Sequence, residues 1–240
     1  MRITQSIVAI AVLLMGSGSA SAGVVITETQ VQKDHDGYAT LHKTVYVQGR
    51  KQKIETSDRQ TIIDLDKGRT FIVYPNQRSY IEMAFPPAGD QTPAAPGIKF
   101  GVLTLKRTGA TRSIAGYSCN EYQGEGKMAV MEVVVNQCIS GDAPGASEFL
   151  GFQSALSATL GQPPQPAGWG ERAGGIALEE RSIVTAPTAL NTPRGAAVGP
   201  VATSITMVRK IRVIRLPDAT FAPPPGFHRI APPAANGHEI

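Results

Sequence analysis

Between residues 39 and 84, apolar and polar side chains alternate in five short runs: ATLHKTVYVQG, KQKIETS, QTIIDLD, RTFIVYP and RSYIEMA. Each run is rich in Val, Ile, Thr, Tyr or Phe, residues that fit a pleated, half-buried surface. Turn residues separate the runs at Gly49-Arg50, Asp58-Arg59, Lys67-Gly68 and Asn76-Gln77, with Pro75 opening the last. Period-two runs broken by turns every 8–12 residues or so predict an antiparallel meander. Connections this short exclude parallel neighbours, which need a crossover of about a dozen residues. Ser79, Ile81 and Met83 share one face, and Arg78, Tyr80 and Glu82 the other. Thr70, Ile72 and Tyr74 likewise oppose Arg69, Phe71 and Val73. Neither face is wholly polar, so the sheet needs cover on both sides or must curl around a cavity.

The pattern extends in both directions. Residues 23–33 alternate Val25, Thr27, Thr29 and Val31 against Val24, Ile26, Glu28 and Gln30, which reads as a first strand. Asp34-His35-Asp36-Gly37 turns that strand into the meander, Asp-Gly being a strong turn pair. Downstream, 99–108, 110–115, 116–123, 127–137, 176–186 and 201–216 read as strands, with Gly109 as one turn and Gly124-Glu125-Gly126 as the tip of a hairpin. One segment departs from period two. Residues 146–160 place Phe149, Phe152, Leu156 and Leu160 on one face at helical spacing. Gly161, with Pro163-Pro164 behind it, is a helix stop. Residues 85–97, 163–175 and 187–200 are Pro/Gly loops, 222–227 (APPPGF) ends the fold, and 231–240 is a frayed tail. The expectation is a mainly β (α+β) protein with about eleven antiparallel strands and one helix, in a single domain over 23–230.

The N-terminus follows neither period. Arg2 precedes the apolar run IVAIAVLLM at residues 7–15, which is too short to span a bilayer. The small residues GSGSASA follow, with Ala20-Ser21-Ala22 matching an A-x-A cleavage site. Residues 1–22 are therefore expected to be a secretory signal peptide, cut between Ala22 and Gly23. No cysteine follows the run to carry a lipid, and no later stretch is long and apolar enough for a membrane helix. The expected address is periplasmic or secreted.

Composition changes this picture little. Hydrophobic residues at 42% and charged residues at 18% are ordinary for a globular chain. A formal charge of +4, spread over many strands, reads as solvated faces and gives no case for a nucleic-acid partner.

The chemical inventory is thin. His35 lies in the first turn between Asp34 and Asp36, and His42 begins a strand, a spacing that matches no standard metal site. His228 and His238 lie at or near the tail. There is no G-x-S-x-G elbow and no H-E-x-x-H, and Gly124-Glu125-Gly126-Lys127 lacks phosphate-loop spacing. Asp64 and Asp66 share one face of a strand, a weak acid/base pair beside the plainer reading of solvated turn charges. No catalytic residue, cofactor or metal site is expected. Cys119 and Cys138 pull two ways. An exported chain with an even pair of cysteines argues for a disulfide. A hairpin centred on Glu125 would instead set Cys119 near position 131 and leave Cys138 over 20 Å or so up the ladder, as a buried thiol.

Three stretches, QTIIDLDKGRTFIVYPNQRSYIEM, TGATRSIAGYSCNEYQ and FAPPPGF, resemble the bacterial exported proteins grouped as the DUF4412 family. The most specific part is Ile114-Ala115-Gly116-Tyr117 with Cys119 and Tyr122, and 141–200 is poorly matched. That family is similar in turn to the LolA/LolB-like lipoprotein carriers. The resemblance implies an open antiparallel half-barrel whose helix lids or plugs an apolar cavity, and it supplies no catalytic residue. Phe149, Phe152, Leu156 and Leu160 are then the lid and cavity candidates.

The functional expectation is a non-enzymatic carrier for a lipid, an acyl chain or another hydrophobic ligand. An envelope assembly or stress partner that binds protein through the open sheet is the alternative, and a hydrolase is the remaining reading. The sequence names neither ligand nor oligomeric state.

Overall fold

A computed structural model describes residues 22–34, 37–86, 104–128, 131–161, 174–185 and 200–232. Its twelve strands are β1 (Gly23–Asp34), β2 (Gly37–Gln48), β3 (Lys51–Glu55), β4 (Gln60–Asp64), β5 (Arg69–Tyr74), β6 (Ser79–Ala84), β7 (Thr104–Ile114), β8 (Tyr117–Met128), β9 (Met131–Ser140), β10 (Ile176–Thr185), β11 (Pro200–Ile214) and β12 (His228–Ile230). One α-helix among the described residues, α1 (Ala146–Thr159), interrupts them.

All twelve strands form one sheet, in the order β12-β6-β5-β4-β3-β2-β1-β11-β10-β9-β8-β7. Two meanders, β1 to β6 and β7 to β11, are joined where β1 pairs antiparallel with β11. β7 and β12 are the two edges, so the sheet is open, and the mainly β architecture with one helix is the expected one. Each tight connection does enforce an antiparallel pair. Among the described residues the one parallel pair is β12 beside β6, where the His228 N–H donates to the Arg78 carbonyl.

β1 is central, and its two faces are both buried. Val24 and Ile26 join Val45, Val47, Val208 and Phe152 in one core, on the side that carries α1. Val25 points the other way and packs with Ile62, Val73, Leu216 and Phe221, in a core capped by the 3-10 turn Asp218–Phe221. The Phe71 and Tyr80 rings meet edge to face beside that second core, at 6.1 Å between centroids. Covering both faces resolves the two-sided apolarity of the meander, because each side of the pleat loses its apolar surface to water only when something packs on it.

Several expectations need correction. The fold does not end at APPPGF, because the chain returns as β12. Gly109 is no turn: β7 runs through it with φ +90° and a register shift between Arg107 and Thr111. Gly124-Glu125-Gly126 is no hairpin tip. β8 continues through it, with Gly124 opposite Val135 and Met128 opposite Met131. The reversal thus lies between Met128 and Met131, beyond the one centred on Glu125, and Glu121 faces Cys138. Cys119, two residues from Glu121, becomes the diagonal neighbour of Cys138. The two α-carbons are 5.3 Å apart and the sulfurs are bonded. The geometric objection to the disulfide fails because it rested on the wrong register. Residues 1–21, expected to be a leader, the expected turn at His35-Asp36, most of the three expected Pro/Gly loops and residues 233–240 lie outside the described residues.

Candidate functional site

Helix α1 begins at Gly145, which holds a left-handed conformation at φ +79° and offers no side-chain cap. Glu148 in the first turn compensates. Its carboxylate sits near the positive end of the helix dipole and accepts the Gly49 backbone N–H, tying the helix to the β2–β3 turn. At the far end, the Thr159 hydroxyl donates to the Ala155 carbonyl at 2.8 Å.

The four lid candidates separate. Phe152 is fully buried in the core, and Phe149 and Leu156 are half-buried against it. Leu160 is 36% exposed, so the stripe does not bury along its whole length.

Beneath α1 lies a cavity of about 290 Å³, open to solvent on one side. One cross-strand row of its wall is apolar: Ile26 faces Val45, and Val45 faces Ile54. Phe149 of α1 and Ile176 of β10 extend that surface. The next row is charged. Glu28 and Lys43 face each other in register, with Lys43 Nζ 2.6 Å from Glu28 Oε2. Thr206 and Glu180, in register on β11 and β10, lie on the same face one row further along, level with Gln30 of β1. Glu180 Oε2 accepts the Gln137 side-chain N–H at 2.6 Å. Burial pushes the Glu180 carboxyl above the usual carboxylate range, and Glu28 pushes the same way, while Gln137 and the Lys43 charge pull it down. Gln52 and Gln153 also line the cavity.

The expectation of an apolar cavity is thus corrected: the walls are amphipathic. Reading the scattered Lys and Arg as solvated faces missed Lys43. The available signal was Glu28, which alternates onto the same face as Val24 and Ile26.

Other candidates take structural places. Asp64 is buried and accepts the backbone N–H groups of Asp66 and Lys67 at 3.1 and 3.0 Å, which makes it a turn organiser. Asp66 is exposed and pairs with Arg50 at 3.0 Å. His42 is exposed, with its Nδ1 3.4 Å from the Thr29 hydroxyl. Among the described residues no group of three or more His, Cys, Asp and Glu is placed to hold a metal ion, and no helix is long and apolar enough to cross a membrane.

No curated protein matches the chain. Among solved structures, PNGF-II is similar at 12% identity and a TM-score of 0.42, over 89% of this chain. The chain spans only 31% of that protein's length. A DUF1329 family protein from Desulfovibrio piger is similar at 9% identity and a TM-score of 0.33, over 85% of this chain and 91% of that one. A LolA superfamily protein from Nitrosomonas europaea has 10% identity and a TM-score of 0.29, with the same coverage of 85% and 91%. The model of the domain of unknown function DUF4412 matches residues 30–163, more than half of the chain, and this protein belongs to the DUF4412 family.

Proposed function

We propose that this protein is an exported, non-enzymatic binding protein that holds a hydrophobic or amphiphilic ligand, such as an acyl chain, under α1. The carrying observation is the cavity between helix and sheet, walled by Ile26, Val45, Ile54, Phe149 and Ile176. Its volume of about 290 Å³ stands at the lower end of ligand pockets, roughly 300–1,000 Å³, and its open side leaves room for a longer chain to protrude.

Export belongs to the same proposal. The leader-like residues 1–22 motivate it, and N-terminal sequencing of the processed chain should begin GVVIT. A chain that retains Met1 and stays in the cytoplasm would remove the address. Binding is tested by native mass spectrometry of protein purified from the periplasm, followed by titration with octanol. Adducts of lipid mass and saturable octanol binding are expected. If neither is seen, the carrier reading is lost.

One observation favours the second reading, a protein partner. β7 is an edge strand whose residues 106–113 are exposed, a template on which another strand could pair. Lys106, Arg107 and Arg112 lie on it, however, and charges of this kind blunt an edge against such pairing. The cavity therefore carries the proposal.

A further inference from the structure

We propose that the charged side of this cavity selects an amphiphile with a cationic amine head and rejects the carboxylate of a free fatty acid. The inference rests on the carrier reading and adds the head-group chemistry.

The cavity lining offers two carboxylates and one ammonium. Lys43 is already matched by Glu28 across the β1–β2 ladder at 2.6 Å. That leaves Glu180 as the unmatched charge, with a neutral amide, Gln137, as its hydrogen-bond donor. An entering carboxylate would have to compete with Glu28 for Lys43 while facing Glu180. An entering ammonium would meet an acceptor surplus. A carboxylate held away from water without an opposite charge is costly, and a cation beside it offsets that cost. The upward push on the Glu180 carboxyl has burial as its main cause, and the Lys43 charge offsets it only in part.

A second, independent observation points to a ligand. Gln52 is 6% exposed and Gln153 is 7% exposed, and both line the cavity, one from β3 and the other from α1. Among the described residues no hydrogen bond to either side-chain amide is found, and neither holds a polar atom sealed from solvent, so both amides open into the cavity. An ammonium carries three donors and no acceptor. The Glu180 carboxylate and the Thr206 hydroxyl beside it in register can receive them, while the alkyl chain runs along Ile26, Val45 and Phe149. A hydroxyl head would use the amides but gain nothing from the surplus charge, so it should bind with intermediate strength.

The test compares octylamine, octanol and octanoate on the full processed chain by calorimetric titration at neutral pH. Octylamine should bind about tenfold or more tighter than octanoate, as expected for one charge-assisted hydrogen bond gained rather than lost, with octanol between them. Glu180→Gln should weaken octylamine about tenfold and remove its advantage over octanol. Glu28→Gln frees Lys43 and should raise octanoate affinity. Circular dichroism checks that each variant remains folded. Octanoate binding as tightly as octylamine, or octylamine binding indifferent to Glu180→Gln, overturns the head-group proposal while octanol binding keeps the carrier reading. If none of the three binds, both fall together.

Discussion

Gly145, at the start of α1, lies so close to Val24 in the centre of the sheet that a Cβ on it would come within 2.6 Å of Val24 Cγ2. Its φ of +79° is also one that a side chain resists. The N-terminal end of the helix is thereby pinned to β1, and the Glu148 link to Gly49 pins it again. Gly145→Ala should lose at least 1–2 kcal/mol or so from the left-handed backbone alone, plus the cost of moving Val24. Gly151, in the same helix, has nothing within 4 Å of its would-be Cβ. Gly151→Ala should therefore stabilise by about 0.5–1 kcal/mol. Urea unfolding of the two variants measures the contrast. Equal effects would mean that the close approach to Val24 is not what fixes the helix.

The disulfide clips β8 to β9 beside the core that contains both cysteines. Its sequence separation of 19 predicts a stabilisation of roughly 3 kcal/mol in the chain-entropy description. Denatured, unreduced protein should show no reactive thiol, and Cys119→Ala/Cys138→Ala should unfold at correspondingly lower urea. Two labelled thiols per chain would refute the bond.

The meander from β2 to β6 was legible because each turn carries its own chemistry and each strand alternates cleanly. Its face assignments hold, with Ile72 opposite Ile81 and Phe71 opposite Glu82. The β8–β9 hairpin was illegible for the converse reason. Gly124 and Gly126 are strand residues, one of them packed across from Val135, and the reversal between Met128 and Met131 carries no glycine, proline or asparagine. One misplaced turn then misplaced Cys119 against Cys138. The cavity's charged side was hidden because its members come from β1, β2 and β10, brought together only when β11 pairs with β1. β12 was missed because three residues beside β6 are too few to show a period.

Glu180 should make stability depend on pH in an unusual direction. Its folded carboxyl is raised, first by burial and also by Glu28 on β1, against Gln137 on β9 and Lys43 on β2. The folded state then holds its proton more tightly than the unfolded chain does. Stability from this group is full below the ordinary value of 4.5 and falls as pH rises through the folded value. Glu180→Gln removes that fall and can still accept the Gln137 donor. The variant should melt a few degrees higher than wild type at neutral pH and show no advantage in acid. An advantage that is the same at both pH values would place its origin elsewhere than in the charge.

The same helix has a packed and a cavity-lining side chain about one turn apart. Phe152 is fully buried in the core, so Phe152→Ala should cost about 3–5 kcal/mol through lost contacts and the cavity left behind. Leu160 is already 36% exposed, and Leu160→Ala should stay within about 0.5 kcal/mol. Phe149 is half-buried and lines the cavity. Phe149→Ala should lose clearly less stability than Phe152→Ala while changing octanol affinity. With Gly145 fixed on Val24, any opening of α1 would begin at its Leu160 end. Leu156→Ala, which loosens that end, should then speed octanol release more than it destabilises the fold. Stopped-flow release and urea unfolding on the same samples separate the two effects. If Phe149→Ala and Leu156→Ala merely unfold earlier, with octanol binding and release unchanged, α1 is a fixed core helix and the cavity beneath it is not where ligand enters.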